Sequence, residues 1–205
     1  MSKPRYKKTP ISIYIPQQVH GKLEKVANFL GVTKAGLVVI ILVESKKIKL
    51  KDQEISDYAN LLDEPNKIGV SVNITDQLYS DYKKTYRGLL SIHGYFAIMV
   101  YKFFEDNKIP EQAEPSEHFF RRFEVSATSN EAFTNFSKKY NISQTTLYNY
   151  ALYTKKYLNS EPYDNAGQTV IKQFMNTDKL LDYLPKNSHD RKIIFSQMTS
   201  YYLSL

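Results

Sequence analysis

The feature that most constrains the fold is one pattern that occurs three times along the chain. In its first copy, Ile11, Ile13 and Ile15 alternate with polar residues, which is typical of a strand with one buried face. Apolar residues at helical spacing follow, and Gly31 can adopt the left-handed conformation that ends a helix. A second apolar segment then extends from Leu37 to Val43. The first copy is therefore predicted to contain a strand, a helix and then a second apolar segment.

The segment from Leu37 to Val43 leaves two alternatives open by itself. Its seven consecutive apolar residues, many of them β-branched, fit a buried parallel strand as well as a buried helix. The third copy favours the helix, because its corresponding residues keep helical spacing over a length unusual for a strand. These residues are Leu147, Tyr150, Ala151, Thr154 and Leu158. If the copies are homologous, the first copy also ends in a buried helix.

The second and third copies repeat the alternation of the first strand. Val70, Val72 and Ile74 are the apolar positions of the second copy, and Phe123 and Val125 are those of the third. In the second copy, Thr75 is the predicted N-cap of a first helix that contains Leu78, Tyr82, Leu89 and Leu90. The predicted N-caps of the second helices, in chain order, are Thr33, His93 and Ser143.

Between and around the copies, composition indicates linkers and one further segment. A basic arm occupies 1–10, the repeated units occupy 11–47, 67–106 and 119–160, a linker helix lies in 48–66, and a proline-containing linker occupies 107–118. The helix predicted between the first two units extends from Asp52 to Asp63. The last segment, 161–205, is predicted to be helical.

Two interpretations of this C-terminal segment remain open. The spacing of its apolar residues predicts a helix, a turn near Pro185 and a final helix from Asp190 to Leu203. The alternative is a degenerate fourth unit, with a strand near Thr169 to Phe174 and an N-cap at Ser188. The apolar residues that predict the first helix are Val170, Ile171, Phe174, Leu181 and Leu184.

Charge and composition narrow the classes of function. The formal charge of +7 favours an acidic partner, either nucleic acid or an anionic membrane, without choosing between them. The chain has no cysteine, its four histidines lack metal-ligand spacing, and it has no glycine-rich phosphate loop. We therefore expect no enzymatic activity, no cofactor and no metal site. No apolar stretch has the length of a membrane span and no signal peptide is evident, so we expect a cytoplasmic protein with no membrane partner.

The repeated pattern resembles a known family of DNA-binding proteins. An alternating strand, a cap at Pro16, Thr75 or Ser126, a helix, the Gly-Val-Thr turn at 31–33 and a buried second helix resemble the ribbon-helix-helix superfamily of Arc/MetJ type. The resemblance implies a mostly α fold with short β-strands, built here as three tandem ribbon-helix-helix units. Two such units pair their strands as an antiparallel ribbon that enters the major groove. With three units, either a homodimer supplies the missing strand or the C-terminal segment does so in an intramolecular pseudo-dimer.

The resemblance also implies which residues contact DNA. Base edges would be contacted by the outward strand residues Ser12, Tyr14, Ser71, Asn73, Arg122 and Glu124. Phosphates would be contacted by the basic arm, by strand-end cations and by the starts of the second helices. These residues are Lys3, Arg5, Lys7, Lys8, Thr33, Lys34, Lys67, His93, Arg121 and Ser143.

The expected function is sequence-specific binding of double-stranded DNA without catalysis. Tandem proteins of this type resemble accessory factors of plasmid conjugation, which mark an origin of transfer for a relaxase. The alternative role is transcriptional repression, or plasmid copy control or partition. An alternative of another class is a helical protein-interaction module whose ribbons serve only assembly.

Overall fold

The computed structural model describes residues 6–205, with the exception of 87, 89, 109, 111–116 and 165. The described chain is mostly helical and contains two antiparallel sheets of two strands each. The elements of the first half are β1 (Lys8–Pro16), α1 (Gln17–Leu30), α2 (Lys34–Ser45), α3 (Asp52–Leu62), β2 (Lys67–Thr75), α4 (Asp76–Lys83) and α5 (Ile92–Asp106). The second half contains β3 (His118–Ser126), α6 (Ala127–Tyr140), α7 (Gln144–Thr154), β4 (Thr169–Thr177) and α8 (Ser188–Ser204). Short 3-10 helices lie at Lys156–Asn159 and Asp178–Tyr183.

The predicted fold of three tandem ribbon-helix-helix units is wrong. The strands form two separate two-stranded sheets, and the second sheet uses a strand, β4, in the segment for which a helix was the first interpretation. We name the pair β1 and β2 ribbon 1, and the pair β3 and β4 ribbon 2. Both pairings lie within one chain, so neither ribbon requires a strand from a second copy.

Contacts divide the chain into two compact units. Unit 1 contains β1, α1 as far as Ala27, α2, α3, β2, α4 and α5, together with Lys139–Asn141. Unit 2 contains β3, α6 as far as Lys138, α7, β4 and α8, together with Asn28–Val32.

In unit 1, the core is formed under ribbon 1 by the two most apolar helices. Every residue from Leu37 to Val43 is buried in α2, which confirms the helical interpretation of this segment. Helix α5 packs on β1 and α2 packs on β2, so each strand is covered by a helix that follows the other strand. Because the two halves cover each other in this way, neither half of unit 1 can bury its apolar face alone.

In unit 2, the core beneath ribbon 2 is aromatic. Helix α8 packs on β3 and α7 packs on β4, which repeats the crossed arrangement of unit 1. The Phe174 ring of β4 stacks on Tyr148 of α7 with centroids 4.3 Å apart, and it also lies near Phe123 and Phe195. Buried polar contacts join the same elements, since Asn176 donates to the Asn149 side-chain oxygen at 2.8 Å.

The helix ends agree with the sequence in part. Gly31 has a φ of +63° after α1, as predicted, and Asn141 has a φ of +56° at the corresponding place after α6. The helix predicted from Asp52 to Asp63 is confirmed as α3. The first helix of the second copy is shorter than predicted, because α4 ends at Lys83 and Leu90 lies in a bend beyond it.

Lys46, which follows α2, is buried and gives unit 1 a testable dependence on pH. Burial lowers the pKa of Lys46 to about 8, although the Asp81 carboxylate 3.7 Å away opposes this shift. Between pH 8 and the ordinary lysine pKa of 10.5, the unfolded state therefore binds more protons than the folded state. Linkage then requires the Lys46 contribution to the free energy of unfolding to rise with pH across this interval.

We expect Lys46→Met to remove this pH-dependent contribution. Urea denaturation followed at several pH values between about 7.5 and 9.5 would measure the slope of the unfolding free energy for wild type and variant. Lys47→Met is the matched control, because Lys47 is the exposed neighbouring lysine. Equal slopes for wild type and Lys46→Met would contradict the burial of a protonated lysine at this place.

Candidate nucleic-acid interface

Ribbon 1 presents short polar side chains on its outer face. Ser12 lies directly opposite Ser71 at the middle of the ribbon, while the isoleucines of β1 and the valines of β2 are buried on the inner face. Asn73 is exposed opposite Pro10. Tyr14 is 60% exposed opposite Gly69, and a Cβ at Gly69 would lie 3.2 Å from the Tyr14 ring. The glycine therefore leaves room for the tyrosine ring to lie across the strand pair.

Ribbon 2 presents an oriented pair of long polar side chains at the equivalent place. Arg122 lies directly opposite Gln173, and its Nε donates a hydrogen bond of 2.9 Å to the Gln173 Oε1 atom. Glu124 is exposed on the same face, opposite Ile171. The six residues predicted to contact bases thus lie on the outer positions of the two ribbons, four on ribbon 1 and two on ribbon 2.

The contribution of β4 to the outer face of ribbon 2 was not predicted from the sequence. Gln173 was absent from the predicted site because its segment was first interpreted as a helix. Phe120 and Ile171, each 64% exposed, add apolar surface to this face. One signal could have identified Gln173. It is a polar residue at the middle of a segment that could form a strand, as Ser12 and Ser71 are in β1 and β2.

Two of the predicted phosphate-contacting lysines are engaged with carboxylates. Lys34 Nζ lies 3.1 Å from Glu24 Oε1, and this contact lowers the pKa of Glu24. Lys67 lies 3.5 Å from Asp63, whose carboxylate is almost fully exposed. Such exposed pairs are weak, so both lysines can exchange their carboxylate for a phosphate at small cost.

The remaining predicted phosphate contacts occupy different places. Lys7 and Lys8 are exposed at the start of ribbon 1, whereas Lys3 and Arg5 lie outside the described residues. Arg121 shares the inner side of β3 with Phe123 and packs over the Phe119 ring, so it does not join Arg122 on the outer face.

Side-chain caps begin the second helices in three places. Thr33 and Ser143 accept hydrogen bonds of 3.0 Å from the backbone amides of Gly36 and Thr146, which confirms both predicted N-caps. The prediction for His93 is wrong, because Ser91 caps α5 by accepting from the Gly94 amide. His93 instead lies exposed in the first turn of α5.

Metal ligands and membrane-spanning helices were sought among the described residues as well. Within it, no group of three or more His, Asp or Glu side chains could hold a metal ion. Of the described helices, none is long and apolar enough to cross a membrane alone, although α1 and α2, bent by 101°, satisfy the length and composition test together.

The geometry defines a mostly helical protein with two antiparallel β-ribbons. Comparison with family models, with curated proteins and with solved structures found no match to this chain.

Proposed function

We propose that this protein binds double-stranded DNA by inserting the outer faces of its ribbons into the major groove. The observation that carries the proposal is the outward polar face of each antiparallel strand pair, with Ser12 and Ser71 in one centre and Arg122 and Gln173 in the other. A two-stranded ribbon fits the width of the major groove of B-form DNA. The formal charge of +7 provides the long-range attraction that such binding uses.

The outward side chains suit base contacts of different kinds. Arg122 can donate two hydrogen bonds to guanine. Its hydrogen bond to Gln173 already restricts the Arg122 side chain in the free protein, so less conformational entropy is lost when DNA binds. Asn73 can pair with adenine in the bidentate manner typical of amide side chains. Because the two ribbons carry unlike residues, they would recognise unlike sequences.

A selection from random double-stranded DNA tests this function. We expect enrichment of a defined sequence, and an affinity for it that falls steeply between about 50 and 200 mM salt as bound counterions are released. Fluorescence anisotropy with the selected duplex and a scrambled duplex would measure both properties. Equal affinity for the two duplexes at every salt concentration would contradict sequence-specific recognition.

We further propose that the DNA sequence is an origin of transfer, where the protein would assist a relaxase. Two unlike ribbons in one chain suit a long asymmetric site more than a palindromic operator. The alternative is repression, or plasmid copy control or partition. Footprinting on the DNA around the gene would distinguish them, since protection of its own promoter alone would contradict the transfer role.

One observation favours a function of another class. Phe120 and Ile171 make the outer face of ribbon 2 partly apolar, which suits either contact with thymine methyl groups or docking on another protein. If selection yields no DNA sequence, ribbon 2 would be assigned to protein assembly. Light scattering of Phe120→Ser beside wild type would then show whether this face joins two chains.

A further inference from the structure

Unit 2 contains a cavity of about 250 Å³ on the inner side of ribbon 2. Arg121 and Phe123 of β3 line it from the ribbon, and Tyr148 lines it from α7. The segment between β4 and α8 contributes Leu184 and Lys186 to another side, and α8 contributes Arg191. The cavity is far larger than the site of a single water molecule. It would hold one ring with an attached acidic group but not a nucleotide chain.

The charged side chains that line the cavity are all basic. Arg121, Lys186 and Arg191 contribute to its lining, and no carboxylate is among the described residues that do so. Arg191 is fixed in place, because its Nε donates to the Pro185 carbonyl at 3.0 Å and its Nη2 to the Lys186 carbonyl at 3.3 Å. These bonds leave further guanidinium N–H groups for a ligand, since arginine has five donors.

Tyr148, whose side chain lies in the same lining, offers a further polar group. Tyr148 is 1% exposed as a residue, its ring is stacked on Phe174, and no described residue forms a hydrogen bond with its hydroxyl. Burial raises the pKa of Tyr148, so the hydroxyl stays protonated at neutral pH and can donate a hydrogen bond. An acceptor atom of a ligand in the cavity would receive this hydrogen bond.

We propose that this cavity binds a small organic anion with a planar apolar body, such as an aryl phosphate or an aromatic carboxylate. The acidic group would pair with Arg121 and Arg191 and accept from Tyr148, while the ring would contact Phe123 and Leu184. A backbone phosphate of DNA would leave this apolar lining unused. The site goes beyond DNA recognition and does not depend on it.

Calorimetric titration and thermal denaturation with phenyl phosphate, benzoate, benzyl alcohol and inorganic phosphate test the proposal. We expect phenyl phosphate or benzoate to bind and to raise the melting temperature of the full chain, because a ligand of the folded state stabilises it. Benzyl alcohol lacks the charge and inorganic phosphate lacks the ring, so each should bind at least about tenfold more weakly.

Variants then locate the binding. Arg121→Gln and Tyr148→Phe should each weaken binding of the preferred probe by about tenfold, as one hydrogen bond to an anion is lost in each. Arg122→Gln is the matched control, because this neighbouring arginine lies on the opposite face of β3, and its affinity should equal that of wild type. Tyr148→Phe keeps the stacked ring, so it tests the hydroxyl without removing the core.

Three results would overturn the proposal. The first is that none of the probes binds. The second is binding that is equally strong in wild type, Arg121→Gln and Tyr148→Phe. The third is equal affinity for inorganic phosphate and phenyl phosphate, which would make the cavity a simple phosphate site of the kind a DNA backbone would use. Each result leaves the outcome of the DNA selection unaffected, so failure of this site and failure of DNA recognition can be distinguished.

Discussion

Replacing Phe174 by alanine should lower the free energy of unfolding of unit 2 by about 3–5 kcal/mol. The Phe174 side chain is 1% exposed and its ring is surrounded by aromatic residues from four elements. The removed ring would leave a cavity that these rigid neighbours cannot fill. Its ring contacts are with Phe123 of β3, Phe133 of α6, Tyr148 of α7 and Phe195 of α8.

Hydrogen exchange of the β3 and β4 amides, measured beside urea denaturation, would assign this loss to unit 2. Ile171→Ala is the matched control, because Ile171 is on the same strand but 64% exposed on the outer face. We expect its effect to stay within about 0.5 kcal/mol. A larger effect at Ile171 than at Phe174 would show that β4 has the opposite face turned inward.

The strand β4 is also where sequence analysis was least successful, for a physical reason. In β1, β2 and β3, buried apolar residues alternate with outward polar ones, so period-two alternation was recognisable. In β4, the polar residues Lys172 and Asn176 lie on the inner side with Phe174. Lys172 donates a hydrogen bond to Gln144 at 2.5 Å, and Asn176 donates one to Asn149 at 2.8 Å. Both partners are in α7, which is far from β4 in sequence, so local sequence patterns do not reveal them.

The buried second helices were easier to predict than the start of each helix. A run of seven apolar residues requires burial whatever its partner, and α2 is buried over that run. The choice of His93 as a cap followed from alignment with Thr33, yet Ser91 offers the hydroxyl that the Gly94 amide requires. Alignment of repeats thus predicted the element but not the residue that begins it.

The pairing of strands could not be predicted from the repeats alone. Each strand has a similar inward face, so β1 could pair with any other copy or with a second chain. The pairing of β1 with β2 and of β3 with β4 becomes evident only with the crossed helices, α5 on β1 and α8 on β3. This pairing is what places Gln173 beside Arg122 and so completes the candidate interface of ribbon 2.

Replacing Arg122 by alanine should weaken binding to the selected DNA sequence by about 1–3 kcal/mol, which is roughly a five- to 150-fold loss of affinity. The variant should also lose its preference at one base pair, because a bidentate contact to guanine distinguishes that base from the other three. Arg122 is exposed, so its removal should change the free energy of unfolding by no more than about 0.5 kcal/mol. Anisotropy titrations against a set of duplexes, each changed at one position, would measure both effects.

Arg121→Ala provides the matched comparison, since it removes the same charge from the neighbouring residue on the other face of the strand. If Arg121 acts on DNA only through its charge, the variant should weaken binding uniformly across all duplexes and reduce the salt dependence slightly. A change of base preference confined to Arg122→Ala would support direct contact by the outer face of ribbon 2. Uniform weakening by both variants would contradict it, because charge alone would then account for the role of each arginine. Asn73→Ala applies the same test to ribbon 1. This variant should lose its preference for adenine at a different position of the DNA site.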